Sequence, residues 1–192
     1  PVLRPRSTPD KPVHILCIQW SNLVKDDGKR KACACIDGSK RSAPWLRELV
    51  STYASCIETP CMRLFFALAA QLGMCVSVGD TTNAYQQSPP PTVPCFLEID
   101  DAYASWHLKR FHKILDCRTH VVPVLRALQG HPEAGRLWER MITGILIDEL
   151  HFRNTTHERN LYRGLVDGKD VLICCQVNDF SVASLDPATA AT

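Results

Sequence analysis

The chain has 192 residues, of which 45% are hydrophobic and 22% charged, and its formal net charge is +2. This length and composition predict one full domain with a real core and room for a small attached lobe. The mildly basic balance neither requires nor rules out a nucleic-acid partner. The longest apolar run, Leu64 to Ala70, is too short to span a bilayer, and the N-terminus lacks a secretory signal pattern. We therefore expect a soluble, intracellular protein.

The ten cysteines predict reduced thiols rather than a disulfide framework, because the chain shows no secretion signal. They form no two CxxC pairs, so a structural zinc site is not expected. Positive charge is concentrated in the first quarter of the chain, where a phosphate backbone or a solvated surface would both account for it. These cations are Arg4, Arg6, Lys11, Lys25, Lys29, Arg30, Lys31, Lys40 and Arg41.

The N-terminal quarter predicts an irregular lead-in over residues 1–24, followed by the main domain over residues 25–192. Within the lead-in, His14 to Trp20 is apolar and compatible with a strand. After the lead-in, Asp27-Gly28 supplies a turn before Lys29 to Ile36. A two-stranded flap is therefore plausible at this place. Ser42 and Pro44 then indicate the start of a first helix.

A second helix is predicted from Thr59, as its cap, to Gly73, whose left-handed backbone would end it. The run Cys75 to Gly79 has the length of a buried strand and delivers Asp80 at its end. Residues 81–88 are expected to turn into a short helix before three prolines stop it. Cys95 to Ile99 predicts another strand.

The acid pair Asp100-Asp101 is interpreted as the cap of a helix whose buried face consists of Tyr103, Trp106 and Phe111. Val121 to Leu128 predicts a strand that Pro123 places at an edge or a bulge. A long amphipathic helix is expected from Pro132 to Leu150.

The C-terminal region predicts two consecutive hairpins, the first turning at Asp167-Gly168 and the second with Asn178 and Asp179 at its tip. The whole pattern predicts an α+β domain with helices packed on one face of an antiparallel sheet. The polar tip has two interpretations. Asn and Asp are common turn residues because they tolerate a positive φ, but an acid at such a tip can also hold a metal ion.

Three separate stretches resemble the reverse transcriptase domain of copia-like retrotransposons, a family of RNA-directed DNA polymerases. The first is Asp80 to Tyr85 (DTTNAY), the second is Leu128 to Trp138 (LQGHPEAGRLW), and the third is Gln176 to Asp179 (QVND). They occur in the family's order, and the resemblance extends over roughly Lys25 to Ser184. It implies a palm with an antiparallel sheet packed on helices and a partial fingers subdomain.

The resemblance implies two-metal nucleotidyl transfer to a primer 3′-hydroxyl on an RNA or DNA template, with deoxynucleoside triphosphates as substrates. Two cations about 4 Å apart can activate the attacking oxygen and stabilise the leaving oxygen. Magnesium, or manganese in its place, prefers the hard oxygens of carboxylates. The implied catalytic positions are Asp80, Asn178 and Asp179, and the metal ligands among them are Asp80 and Asp179. Without the resemblance, Asp80 is interpreted as a capping residue at the end of a strand.

The implied nucleotide-binding residues are Lys31, Tyr85, Gln129 and Gly130. Lys31 would meet the triphosphate, Tyr85 would exclude a 2′-hydroxyl, and the other two would lie against the incoming nucleotide. Two of them have an ordinary structural alternative, which is core packing for Tyr85 and a solvated charge for Lys31.

Two positions depart from the family pattern. Asn178 stands where the family has its first hairpin acid, and Cys33 stands where the family has an arginine. We also expect the thumb to be absent, since the chain ends shortly after the second hairpin. Three hypotheses follow: an impaired polymerase fragment, a non-catalytic nucleic-acid-binding module, and a decayed fragment without function.

Overall fold

The computed structural model describes residues 14–191, together with the backbone of Arg4–Pro5. The chain is mixed α and β and divides into two compact units. Unit 1 contains Pro1–Thr52 and Tyr85–Leu137, and unit 2 contains Tyr53–Ala84 and Trp138–Thr192. None of the helices in the described ranges is long and apolar enough to cross a membrane. The predicted α+β class is confirmed.

The helices, in chain order, are α1 (Pro44–Leu49), α2 (Thr59–Gln71), α3 (Ala84–Gln87), α4 (Asp101–Phe111), α5 (Ala134–Gly144) and α6 (Pro187–Ala191). A π-helical turn, Ile145–Glu149, continues α5. The strands are β1 (Arg4–Pro5), β2 (Ile15–Leu16), β3 (Ile18–Val24), β4 (Arg30–Ile36), β5 (Cys75–Asp80), β6 (Phe96–Glu98), β7 (His120–Pro123), β8 (Arg153–Asn154), β9 (Leu161–Val166), β10 (Lys169–Gln176) and β11 (Asp179–Ser184).

Unit 1 contains a four-stranded sheet in the order β1-β7-β6-β2 and a separate antiparallel ribbon of β3 and β4. Its core consists of buried side chains from β2, the end of β4, α1 and β6, among them Leu16, Ile36, Leu46 and Leu97. The antiparallel pairing of β3 with β4 confirms the predicted two-stranded flap. Gly28 lies in the turn between them and has a φ of 78°, which glycine adopts without strain. The lead-in predicted over residues 1–24 therefore contains β2 and β3; Arg6 and Lys11 lie outside the described residues.

Unit 2 is built on a five-stranded antiparallel sheet in the order β5-β11-β10-β9-β8. Successive strand residues point to opposite faces, and each face carries its own hydrophobic cluster. Ile173 and Cys175 pack with Leu146 of the π-helical turn, whereas Cys174 and Ala183 pack with Phe65 of α2. The expectation of helices on one face is therefore wrong for this sheet: helical elements cover both faces. This explains why β10 is continuously apolar from Val171 to Cys175.

Two predicted helix boundaries need correction. Thr59 is the first residue of α2, and its N-cap is Glu58, which makes no side-chain capping bond. Glu58 has the extended backbone of a cap, and Pro60 follows within the first turn. The helix predicted from Pro132 to Leu150 is α5 plus the π-helical turn, where the Leu150 N–H donates to the Ile145 carbonyl at 2.9 Å.

Several local predictions are confirmed. Asp100 caps α4, since its Oδ1 accepts a hydrogen bond from the Tyr103 N–H at 2.7 Å. The turn at Asp167-Gly168 has a positive φ at both residues, and Gly73 has a φ of 67° after α2. The strand predicted over Val121 to Leu128 is wrong in extent, because β7 ends at Pro123. It is also wrong in position, because β7 lies between β1 and β6 and is neither an edge strand nor bulged.

Candidate active site

The hairpin between β10 and β11 has Val177 and Asn178 as its two turn residues. The last cross-strand pair before the turn joins Gln176 to Asp179, so Asp179 is the first residue of β11. The tip predicted at Asn178 and Asp179 is therefore wrong by one residue. The sequence favoured the polar pair because Asn and Asp tolerate a positive φ. In the structure it is Val177 that has the positive φ, 57°.

Asp80 ends β5 directly opposite Asp179 of β11. Directly opposed residues of an antiparallel pair point to the same face of the sheet, with Cβ atoms about 4.5–5.5 Å apart. Both aspartates are exposed. The pairing thus places two carboxylates beside each other at one end of the sheet, although β5 is an exposed edge strand rather than the buried strand that the sequence predicts.

Asn178 links the turn to Asp80 through two hydrogen bonds. Its carbonyl oxygen accepts from the Thr81 N–H at 2.8 Å, and its side-chain amide donates to Oδ1 of Asp80. The three predicted catalytic residues of unit 2 therefore lie together. The bond neutralises no charge, because an amide has none, but it satisfies one oxygen of a carboxylate that faces a second carboxylate.

Trp138, the last residue of the second motif, supports the same turn. It is buried, and its indole N–H donates to the Val177 carbonyl oxygen. A buried tryptophan usually finds a partner for its N–H, which is the sequence signal that points to such a bond. Its acceptor could not be predicted, since Trp138 and Val177 are far apart in the chain.

The two buried cysteines of β10, Cys174 and Cys175, are poor ligands and nucleophiles. Burial raises the pKa of the Cys175 thiol to about 12 and that of Cys174 to about 11. All ten cysteines are free thiols, as predicted. Within residues 14–191, no group of three or more His, Cys, Asp and Glu side chains is arranged to hold a metal ion.

Lys31 lies on the exposed ribbon of unit 1, opposite Leu23. Strand alternation places Cys33 and Cys35 on the same face of the ribbon as Lys31. Cys33 is half-buried, and burial raises the pKa of the neighbouring Cys35 thiol. This face thus presents one cation followed by two thiols.

Gln129 and Gly130 hold the end of β4 in unit 1. The Ile36 N–H donates to the Gln129 carbonyl oxygen at 2.7 Å, and Gly130 has a φ of 89°. A Cβ atom on Gly130 would lie 2.0 Å from the Ile36 carbonyl oxygen, so only glycine allows this approach. These two residues therefore have a structural role, and nucleotide binding by them stays a prediction.

Tyr85 is half-buried and packs against a small cluster of Ala127, Ala134 and Leu137 in unit 1. This contact is the core-packing alternative that the sequence left open. The structure therefore accounts for an aromatic residue at this position without a ligand, and a role in nucleotide selection stays a prediction.

No family model matches the chain, and a search of curated proteins finds no match. The chemistry of the two groups of residues therefore has to be argued from their own geometry.

Proposed function

We propose that the chain is the fingers and palm portion of a copia-like reverse transcriptase whose nucleotidyl transfer is impaired. The observation that carries the proposal is the register of β5 and β11, which brings Asp80 opposite Asp179 with Asn178 hydrogen-bonded to Asp80. Two carboxylates on adjacent antiparallel strands are what a palm needs for its cations. The order of the three sequence motifs along the chain supports the same proposal.

The donor set suits one divalent cation better than two. Asp80 and Asp179 supply two carboxylates, and Asn178 directs its N–H group toward Asp80, where a cation would need an acceptor. An attraction between unit charges at 4 Å is worth about 4 kcal/mol at an effective dielectric constant of 20. Losing one carboxylate of this strength corresponds to about a thousandfold in metal affinity or rate. We therefore propose weakened Mg²⁺ binding, with Mn²⁺ as a substitute ion.

Primer extension tests this proposal. The substrates are a primed RNA or DNA template and deoxynucleoside triphosphates, with Mg²⁺ or Mn²⁺, and the proteins are the natural chain and Asn178→Asp. We expect weak extension by the natural chain and an increase of up to about a thousandfold in the variant. The double variant Asp80→Asn with Asn178→Asp is the matched control. It adds an acid at residue 178 and removes the acid at residue 80, so the cluster keeps the same number of carboxylates as the natural chain.

Equal and robust extension by the natural chain and Asn178→Asp would contradict the proposed impairment. No extension by Asn178→Asp, in a protein that unfolds cooperatively, would contradict the polymerase assignment itself. A chain that never unfolds cooperatively would instead support the hypothesis of a decayed fragment.

A second candidate function, nucleic-acid binding without catalysis, is favoured by the ribbon. Its exposed tip carries Lys25, Arg30 and Lys31, and none of these three forms an ion pair within the described residues. Lys29 pairs with Asp27 at 3.0 Å, so its charge is already partly compensated. Unpaired cations on an exposed ribbon suit a phosphate backbone, whose binding releases counterions and weakens with salt.

A binding titration across salt concentrations tests the second candidate. We expect the double variant Arg30→Gln with Lys31→Gln to reduce the slope of log affinity against log salt by about 1.4 for a single strand. Arg63→Gln is the control, because it removes an exposed cation from α2 of unit 2. Binding that is independent of salt, or an unchanged slope in the double variant, would contradict this candidate.

A further inference from the structure

The α4 helix of unit 1 exposes two of its aromatic side chains. Trp106 and Phe111 are 49% and 41% exposed, and their rings meet edge to face with centroids 5.7 Å apart. The prediction that they form the buried face is wrong. His107 is the buried residue of this helix, and its ring nitrogen Nδ1 lies 3.2 Å from the Lys113 carbonyl oxygen. The aromatic pair therefore faces solvent, whereas His107 is the side chain that α4 buries.

Uncompensated positive charge surrounds this aromatic pair. Lys109 and Arg110 follow Trp106 at the spacings that put helical side chains on neighbouring positions, three and four residues on. Lys113 follows shortly after the helix. All three cations are exposed, and none forms an ion pair within the described residues. Residues 106–115 contain no acid.

No carboxylate that flanks residues 106–115 in the chain forms an ion pair with these cations within the described residues, including Asp101 in the first turn of α4. Asp100 caps α4 at its opposite end, and its second oxygen accepts the indole N–H of Trp20 at 2.5 Å. Asp116 accepts the Arg118 N–H at 2.9 Å and the Thr119 hydroxyl at 2.9 Å within its own loop. The cations beside the aromatic pair are therefore left for an external anion.

We propose that the C-terminal half of α4 is a binding surface for single-stranded nucleic acid. Exposed aromatic rings stack on unpaired bases, and flanking cations contact the phosphates of the same strand. The chemistry favours a strand over an anionic membrane, because Trp106 shares its side of the helix with Arg110 instead of with a broad aliphatic face. The surface lies outside the proposed metal residues and the ribbon, so it goes beyond the proposed function and does not depend on it.

Fluorescence anisotropy with a labelled oligouridylate tests this surface in EDTA, where no metal-dependent site contributes. The whole chain is used with Arg30→Gln and Lys31→Gln already in place, so that ribbon binding does not mask the result. Onto this background we add Trp106→Ala, Trp106→Phe, or Lys109→Gln together with Arg110→Gln. The controls are Tyr53→Ala and Arg63→Gln, which remove an exposed aromatic and an exposed cation from unit 2.

We expect Trp106→Ala to weaken binding about tenfold, since it removes one stacking platform, and Trp106→Phe to retain most of the affinity. The change at Lys109 and Arg110 should reduce the salt slope by about 1.4. A duplex of the same length should bind more weakly than the single strand, because its bases are already stacked. The two control variants should bind like the background chain.

Four results would overturn the proposal. They are no binding at low salt, affinity and slope unchanged by the α4 variants, equal binding of duplex and single strand, and binding to phosphatidylserine vesicles without binding to the oligonucleotide. If Trp106→Ala fails to unfold cooperatively, Trp106→Phe and the Lys109 and Arg110 variant decide the question, because they change only exposed side chains. Failure of primer extension leaves every one of these outcomes unchanged.

Discussion

The side-chain amide of Asn178 donates a hydrogen bond to the carboxylate of Asp80, across the pair of strands that also places Asp179 opposite Asp80. An amide at this position lets two carboxylates lie near each other with a neutral neighbour. An acid at the same position would add a third negative charge to the same end of the sheet. The identity of residue 178 therefore determines whether the cluster depends on a cation.

The first prediction concerns the replacement Asn178→Asp. Without a divalent cation, it should lower the free energy of unfolding by about 1–4 kcal/mol, because a like charge about 4 Å away costs that much between the limits of water and protein surface. Added Mg²⁺ should restore the loss by binding the folded state. The measurement is thermal unfolding in EDTA and in Mg²⁺.

The matched control for this change is Asn178→Ala, which removes the hydrogen bond to Asp80 without adding charge. It should be destabilised by about 1 kcal/mol and should not respond to Mg²⁺ more than the natural chain does. An equal response of Asn178→Asp and Asn178→Ala to Mg²⁺ would show that the carboxylates do not act together.

The second prediction concerns Val177, which has a φ of 57° at the first turn position. A β-branched residue in the left-handed region is strained by about 1–2 kcal/mol, whereas glycine is not. Val177→Gly should raise the free energy of unfolding by about 1 kcal/mol, after the greater entropy of glycine in the unfolded chain is subtracted. Urea unfolding measures the change.

Val78→Gly provides a control of opposite sign for Val177→Gly. Val78 is 71% exposed on β5, within a regular strand. Glycine there should destabilise the protein by about 0.5–1 kcal/mol, because it only adds entropy to the unfolded chain. Destabilisation by Val177→Gly of the same size as Val78→Gly would mean that the turn is not strained.

Local signals predicted much of the fold because they depend on neighbouring residues. The cap at Asp100, the turn at Asp167-Gly168 and the stop at Gly73 each follow from the backbone preferences of one or two residues. The hairpin tip could not be placed in this way. Its register is determined by the pairing of β11 with β5 and by the Trp138 bond to Val177, and both are long-range contacts that override turn propensity.

The exposed side of α4 is a second feature that the sequence alone could not predict. Spacing alone marks Trp106 and Phe111 as an apolar side, and it assigns such a side to the core. It does not predict that His107 takes the buried position, with its ring beside the Lys113 carbonyl oxygen. The candidate acids were identified through the resemblance of their motifs, but the amide bond from Asn178 to Asp80 could not be predicted without the pairing of β5 with β11.

The third prediction concerns Gly130, where backbone conformation and space both require glycine. Gly130→Ala should destabilise the protein by more than about 2 kcal/mol, because alanine is strained at a φ of 89° and its Cβ would overlap the Ile36 carbonyl oxygen. Gly28→Ala is the control, with a φ of 78° and no atom within 4 Å of the added carbon. It should cost only the conformational part, about 1–2 kcal/mol. Equal losses in urea unfolding would exclude a steric contribution from Ile36.

The last prediction concerns His131, which is buried in unit 1 and accepts the Glu133 N–H at its Nδ1 over 3.2 Å. Burial lowers the pKa of the His131 imidazole, and the nearby Glu133 carboxylate opposes part of that effect. Below the unfolded pKa of about 6.5, the unfolded chain therefore binds more protons at this residue than the folded chain does. His131 should contribute a loss of stability that begins as the pH falls through about 6.5, and no loss above it.

Urea unfolding between pH 8 and pH 5 measures this loss, with His131→Asn as the diagnostic variant. The asparagine side chain can accept a hydrogen bond from the same Glu133 N–H, but it does not titrate. The decline in stability toward pH 5 should therefore become shallower. His157→Asn is the control for the same replacement at an exposed histidine of unit 2. A profile that is identical in His131→Asn and the natural chain would mean that His131 accepts a proton as readily in the folded protein as in the unfolded one, contrary to its burial.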